Sequence, residues 1–213
     1  MGRVGRVERV GRVGAYPGSF NPLTVAHLAI AETARVRCRL DQVDLIVSKV
    51  ALDKEQVEHP RLEHRLAVLR RVGGRLPWLG LVVTEAQLVA DMAQGYDVVV
   101  LGADKWAQLA DPRFYGGSTV ARDEALARLP EVAVVPRPPH RSPESDDRVR
   151  VLVVPEASGV SSTAARAGQR DWMAADAAAF DHETGAWSDA DRYRRWLERE
   201  SSRAAGSAGG DGG

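Results

Sequence analysis

His27 and the stretch Ser161–Arg166 hold the residue types and spacings best suited to chemistry. His27 stands three residues after Thr24 in GAYPGSFNPLTVAHL (14–28), where two glycines, two prolines and a Ser-Phe-Asn stretch interrupt an apolar run. Thr24 can cap a helix and Pro22 fixes a turn before it. His27 then falls in the first helical turn, where free N–H groups and the helix dipole favour an anion and an imidazole can donate to phosphate oxygens. Gly18 removes a side chain where backbone can approach a ligand. Much later, VLVVPEASGVSSTAAR (151–166) repeats the plan: a strand ends, Gly159 turns, Ser161, Ser162 and Thr163 open a helix, and Arg166 follows one turn in. Hydroxyls, free N–H groups and a guanidinium make a polyphosphate cradle. Each segment also has a plain reading, a βα loop with a surface histidine and a capped helix. Together, both following strands, they point to a polyphosphate ligand.

The elements that must position these residues alternate. Short apolar runs at Arg12–Tyr16, Asp44–Val50, Leu81–Val83, Asp97–Gly102, Glu131–Val135 and Val149–Val154 read as strands. Helical spacing covers Ala26–Val36 and the segment HPRLEHRLAVLRRVGG (59–74), with Pro60 near its start and two glycines as its stop. DVVVLG (97–102) is apolar throughout, as in a strand covered on both faces. The expected fold class is therefore α/β, a Rossmann-like open parallel sheet with helices on both faces and right-handed crossovers. In such sheets ligands sit beyond the carboxyl ends of the strands, where both candidate loops fall.

The 213 residues suit one domain with tails. Residues 1–9 of the Gly-Arg-Val-rich start read as a flexible leader, 10–200 as the domain, and 201–213 (SSRAAGSAGGDGG) as a disordered tail. RPPHRSPESDDR (137–148) reads as a surface loop. Lysine plus arginine equal aspartate plus glutamate at 29 each, so charge gives no argument for nucleic-acid or membrane partners. There is no apolar run long enough to span a bilayer and no signal-peptide block at the start. Cys38 is the only cysteine, which fits a reducing cytoplasm.

GSFNPLTVAH resembles the GxFxPx(H/T)xGH signature of the nucleotidylyltransferase superfamily, and GVSSTAAR resembles its second signature, Ile-Ser-Ser-Thr-x-x-Arg. Over about residues 12–170 the layout is most similar to bacterial nicotinate/nicotinamide mononucleotide adenylyltransferases, with phosphopantetheine adenylyltransferase as a cousin. The resemblance implies transfer of a nucleoside monophosphate, AMP from ATP favoured, onto a phosphate-bearing acceptor, with pyrophosphate released. It implies Mg²⁺ held mainly by the nucleotide phosphates. Gly18, Ser19 and Phe20 would bring backbone close to the nucleotide; Thr24 and His27 take the two signature positions; Ser161, Ser162, Thr163 and Arg166 lie in the second signature, the last three matched to the outer phosphates.

LGADKW (101–106) resembles the family's Gly-x-Asp segment, which implies Asp104 at the ribose with Gly102 allowing close approach; a helix N-cap is the plain alternative. Lys49, Lys54, Trp106 and Arg137 are the acceptor-side candidates, against solvated lysines and a core or rim tryptophan. His59 and His64 are too far apart for one helical turn, so they read as exposed helix residues and no metal ligands are assigned. Two departures stand out: Ala26 replaces the usual glycine before the histidine, and TEAQLVADMAQG (84–95) lacks the Ser-Tyr-Thr element that helps hold a pyridine carboxylate. The resemblance therefore speaks for phosphate chemistry more than for a pyridine ring. A cytidylyltransferase of specialised metabolism acting on a small phosphate or phosphonate, and a non-catalytic nucleotide-binding module, are the alternatives. The oligomeric state, a homo-oligomer included, is open.

Overall fold

The computed structural model describes residues 11–50 and 60–208. The proposed leader, Lys54 and His59 lie outside the described residues. Six strands form one sheet: β1 (Val13–Pro17), β2 (Gln42–Ser48), β3 (Leu79–Thr84), β4 (Val98–Gly102), β5 (Glu131–Val135) and β6 (Val149–Val151). Their order is β3-β2-β1-β4-β5-β6 and every pairing is parallel. The chain winds one way from β1 to β3 and the other way from β4 to β6, so a crevice opens beyond the carboxyl ends of β1 and β4.

Helices cover both faces, as the alternation of apolar segments requires. α1 (Val25–Arg37) and α2 (Leu62–Arg75) lie on one face, over a core that includes Tyr16, Leu45, Val47, Val98, Val100 and Val135. α3 (Val89–Met92), α4 (Ala103–Ala110) and α5 (Thr119–Ala127) cover the other, over Ala15, Ile46, Val99, Leu101, Val132 and Val134. Successive strand residues thus serve opposite layers, which is why each strand is apolar along its whole length. The short α6 (Ser162–Arg166) leads to α7 (Ala175–Thr184) and α8 (Ala190–Ala208). Phe180, Trp187 and Tyr193 of this C-terminal unit pack with Val68 of α2 as a third apolar cluster.

Three boundaries differ from the sequence expectation. Gly73 and Gly74 sit inside the last turn of α2 rather than stopping it. A Cβ on Gly73 would lie 3.0 Å from the Leu79 carbonyl, so this glycine lets the helix end approach the start of β3. β6 is shorter than expected, ending at Val151 before Pro155. Most clearly, α8 continues to Ala208 where composition suggested an unstructured tail from 201. Ser201 and Ser202 direct their hydroxyls to the carbonyls four residues back, both at 2.9 Å. A helix already nucleated upstream extends at little cost through such alanine-containing sequence.

Candidate active site

β1 delivers the chain at Pro17 into the crevice, and the Gly18–Leu23 loop turns it into α1. Thr24 is the N-cap, and its hydroxyl accepts from the His27 backbone N–H at 3.3 Å. His27 completes a reciprocal capping box: its Nδ1 accepts from the Thr24 backbone N–H at 3.0 Å and lies 2.8 Å from the Thr24 hydroxyl. A backbone N–H can only donate. Nδ1 is therefore the acceptor nitrogen, and the neutral ring carries its proton on Nε2. Burial, with the Arg137 charge second, pushes the His27 pKa down to about 4. At neutral pH the residue is an uncharged Nε2–H donor at the head of a helix. The peptide between Leu23 and Thr24 is held at both ends, because the Leu23 carbonyl accepts from Ala174 N–H at 2.9 Å.

Phe20 shapes the loop. Its φ is 45°, in the left-handed region a bulky residue seldom adopts. The ring is buried, 5.5 Å from that of Tyr16 and 5.2 Å from His27, both edge to face. The same burial drives the Tyr16 phenol pKa well upward. This arrangement gives Gly18 a packing reason of its own. A Cβ there would come 2.8 Å from the Phe20 ring, and the Gly18 N–H donates to the Ile46 carbonyl at 3.0 Å. The space a Gly18 side chain would need is filled by the Phe20 ring. The Ser19 carbonyl accepts from Arg65 of α2 at 3.1 Å.

The two signatures meet. Ser161 caps α6, its hydroxyl accepting from Ala164 N–H at 3.1 Å. The Ser162 hydroxyl donates to the Pro22 carbonyl at 2.8 Å across 140 residues of sequence. Arg166 donates through Nη1 to the Asn21 carbonyl and through Nη2 to the Thr163 hydroxyl, at 3.3 Å for the latter. Ser161 and Ser162 thus have structural partners, while the Thr163–Arg166 pair lies at the loop's edge.

At the ends of β4 and β5, Asp104 and Arg137 face each other, Oδ2 to Nη1 at 3.6 Å. The N-cap of α4 is Gly102, so Asp104 does not cap the helix. A Cβ on Gly102 would lie 2.4 Å from Asp104 Oδ1, so the glycine makes room for this carboxylate. That Oδ1 is buried and has no hydrogen-bond partner among the described residues. A buried carboxylate oxygen without a donor is costly, and a ligand hydroxyl would satisfy it. The charge of Arg137 is felt at the His27 ring, which it helps to keep neutral.

The remaining candidates separate from this group. Lys49, at the end of β2, is exposed and lies 3.6 Å from Glu85. Trp106 packs, partly buried, against the core cluster under α4. His64 is not the exposed helix residue expected: its Nδ1 is 2.5 Å from the Tyr193 hydroxyl, and its ring lies edge-on to Tyr193 and Trp196. Burial lowers its pKa. Asn21, Arg65 and Trp187 also brace the site. Asn21 sat within the quoted motif, but the other two carry no local signal.

A family model described as cytidylyltransferase-like matches residues 15–168, and the chain belongs to that family. Within it, the chain is 40% identical over 78 residues to a probable nicotinate-nucleotide adenylyltransferase of Caulobacter sp., covering 36% of this chain and 39% of the relative. It is 30% identical over 138 residues to a probable nicotinate-nucleotide adenylyltransferase of Roseiflexus sp., covering 59% and 65%. The corresponding match to a phosphopantetheine adenylyltransferase of Rhizorhabdus wittichii is 30% over 90 residues, covering 42% and 51%. In each case the match spans less than two thirds of the relative. The fold is similar to that of the Plasmodium falciparum nicotinic acid mononucleotide adenylyltransferase complexed with APC, with a TM-score of 0.62 at 11% identity over 84% of this chain and 98% of that one.

Proposed function

We propose that this chain is a nucleotidyltransferase that moves AMP from ATP onto the phosphate of nicotinate or nicotinamide mononucleotide and releases pyrophosphate. The observation that carries the reading is the His27–Thr24 capping box, which leaves a neutral Nε2–H donor at a helix N-terminus beside the crevice. The relatives' names support the adenylyl group and the pyridine mononucleotide.

In the reaction, an oxygen of the acceptor phosphate attacks the α-phosphorus. A new P–O bond forms, the bond to the bridging oxygen breaks, and pyrophosphate leaves. The nucleophile is already an anion, so no base has to remove a proton. Catalysis then consists of positioning and charge stabilisation. His27 donates Nε2–H to an α-phosphate oxygen, and the α1 N-terminus adds its dipole. Thr24 keeps the imidazole in the donor tautomer. Thr163 and Arg166 address the outer phosphates, and Asp104 Oδ1 takes a ribose hydroxyl. Arg137 and Lys49, with Lys54, supply positive charge for the acceptor phosphate. Mg²⁺ enters on the nucleotide phosphates as part of that substrate. Among the described residues no helix is long and apolar enough to cross a membrane; the lone Cys38 supports a cytoplasmic location.

The test is a pyrophosphate-release screen of four nucleoside triphosphates against nicotinate mononucleotide, nicotinamide mononucleotide and their dephosphorylated nucleosides. Product from ATP and a pyridine mononucleotide is expected. Product with CTP alone, or only from dephosphorylated acceptors, overturns the reading.

A further inference from the structure

The signature loop is gripped through its backbone carbonyls. The carbonyls of Ser19, Asn21, Pro22 and Leu23 accept from Arg65, Arg166, Ser162 and Ala174 respectively. Three of these four donors lie between residues 162 and 174. The Asn21 side chain adds a deeper link. Its Oδ1 accepts from the Trp187 indole N–H at 2.7 Å, and both residues are buried, at 4% and 7% exposure. Trp187 is itself fixed by Asp181, a buried carboxylate. Asp181 Oδ1 accepts from Trp187 N–H at 2.7 Å and Ser188 N–H at 3.0 Å, and Oδ2 accepts from the Ser188 hydroxyl at 2.7 Å. The corner between α7 and α8 therefore presents one indole N–H to one loop residue.

We propose that Trp187 is a positioning residue for triphosphate binding, acting through Asn21 on Arg166. It lies beyond residue 168, where the family match ends. A buried amide oxygen has to keep its donor, so the indole holds Asn21 in one orientation. The Asn21 carbonyl then presents a fixed acceptor to Arg166, which sets where the guanidinium stands relative to the crevice. The corner between α7 and α8 thereby becomes part of the nucleotide site although neither helix contributes a group to it. The inference rests on the nucleotide-binding part of the proposed function.

The test reads binding rather than turnover, by calorimetry with ATP and with AMP at a temperature well below each protein's melting point. Trp187→Phe keeps an aromatic ring and removes the N–H; Asn21→Leu removes the acceptor. Each single variant is expected to lose about tenfold in ATP affinity, as for one buried hydrogen bond, with AMP affinity unchanged. The double variant is expected to be no weaker than the weaker single variant, since both remove the same bond. Wild-type ATP affinity in Trp187→Phe, equal losses for ATP and AMP, or additive losses in the double variant would overturn the proposal. In the intact chain, the Trp187 indole N–H resonance should shift on adding ATP and stay in place with AMP. An unmoved resonance with ATP overturns the proposal even where the variants do not fold. A wild-type chain that binds ATP but makes no product refutes the proposed reaction and not this inference; one that binds no ATP refutes both.

Discussion

The backbone N–H of Thr24 donates to Nδ1 of His27 at 3.0 Å, and this one bond decides which imidazole nitrogen faces the crevice. The capping position normally held by a glutamate or glutamine is occupied by a ring whose far nitrogen remains a donor. Helix capping uses one edge of the side chain, and the opposite edge is the one the proposed reaction needs for phosphate.

Replacing His27 by alanine should therefore lower kcat by about 10²–10³, the usual loss for one preorganised donor, while ATP still binds. Steady-state kinetics beside a calorimetric titration separates the two quantities. An unchanged kcat would remove His27 from the mechanism.

The pH response follows from the sign of the shift. His27 titrates at about 4 in the folded chain against 6.5 for the free residue. The unfolded state takes up the proton first, so stability is lost as pH falls from about 6.5 towards 4 and is restored above that window. In the free enzyme the acid limb of kcat/KM attributable to this ring should lie near 4 as well. A ¹⁵N-edited titration of the His27 ring checks it, and a midpoint at or above 6.5 would contradict the buried neutral state.

Arg166→Ala should weaken ATP binding far more than AMP binding, because the guanidinium stands at the second signature with Thr163 rather than by the ribose end. A charge-assisted contact contributes about 1.5–3 kcal/mol. Calorimetry with both ligands decides it; equal losses would reassign the residue to a purely structural role.

Asp104→Ala should erase the difference in affinity between ATP and its 2′,3′-dideoxy analogue. The buried Oδ1, without a partner among the described residues, is the group expected to accept from a ribose hydroxyl. Wild-type chain should prefer ATP by about tenfold or more, the usual scale for a hydrogen bond to a charged group. Retention of that preference in the variant would separate Asp104 from the ribose.

Gly18→Ala should destabilise the fold by about 1–3 kcal/mol through overpacking, since its Cβ would press on the Phe20 ring. Chemical denaturation measures this, and a companion Phe20→Leu substitution should relieve part of it. A neutral Gly18→Ala would mean that the loop has slack beside Phe20.

The six strands, the first two helices, the capping Thr24, the two signatures and the aspartate after β4 were legible in the sequence. They are local matters: period-two and period-3.6 apolar patterns, turn residues at set offsets, and hydroxyls just before helices. A parallel sheet with helices on both faces follows from that alternation, but the order β3-β2-β1-β4-β5-β6 and the crevice it creates were decided by the tertiary structure. Other features depend on contacts between residues far apart in the chain. Nothing in the spacing of GSFNPLTVAH says that the Phe20 ring fills the room a Gly18 side chain would need. The bond from the Ser162 hydroxyl to the Pro22 carbonyl has no local sign in the sequence, and His64 looks exposed until α8 brings Tyr193 against it. Trp187 and Asn21 are 166 residues apart, and only the packing of the C-terminal helices onto α2 joins them. A hydrogen bond or ring contact needs both partners within a few ångströms, and a one-dimensional pattern records the types of such partners without their meeting.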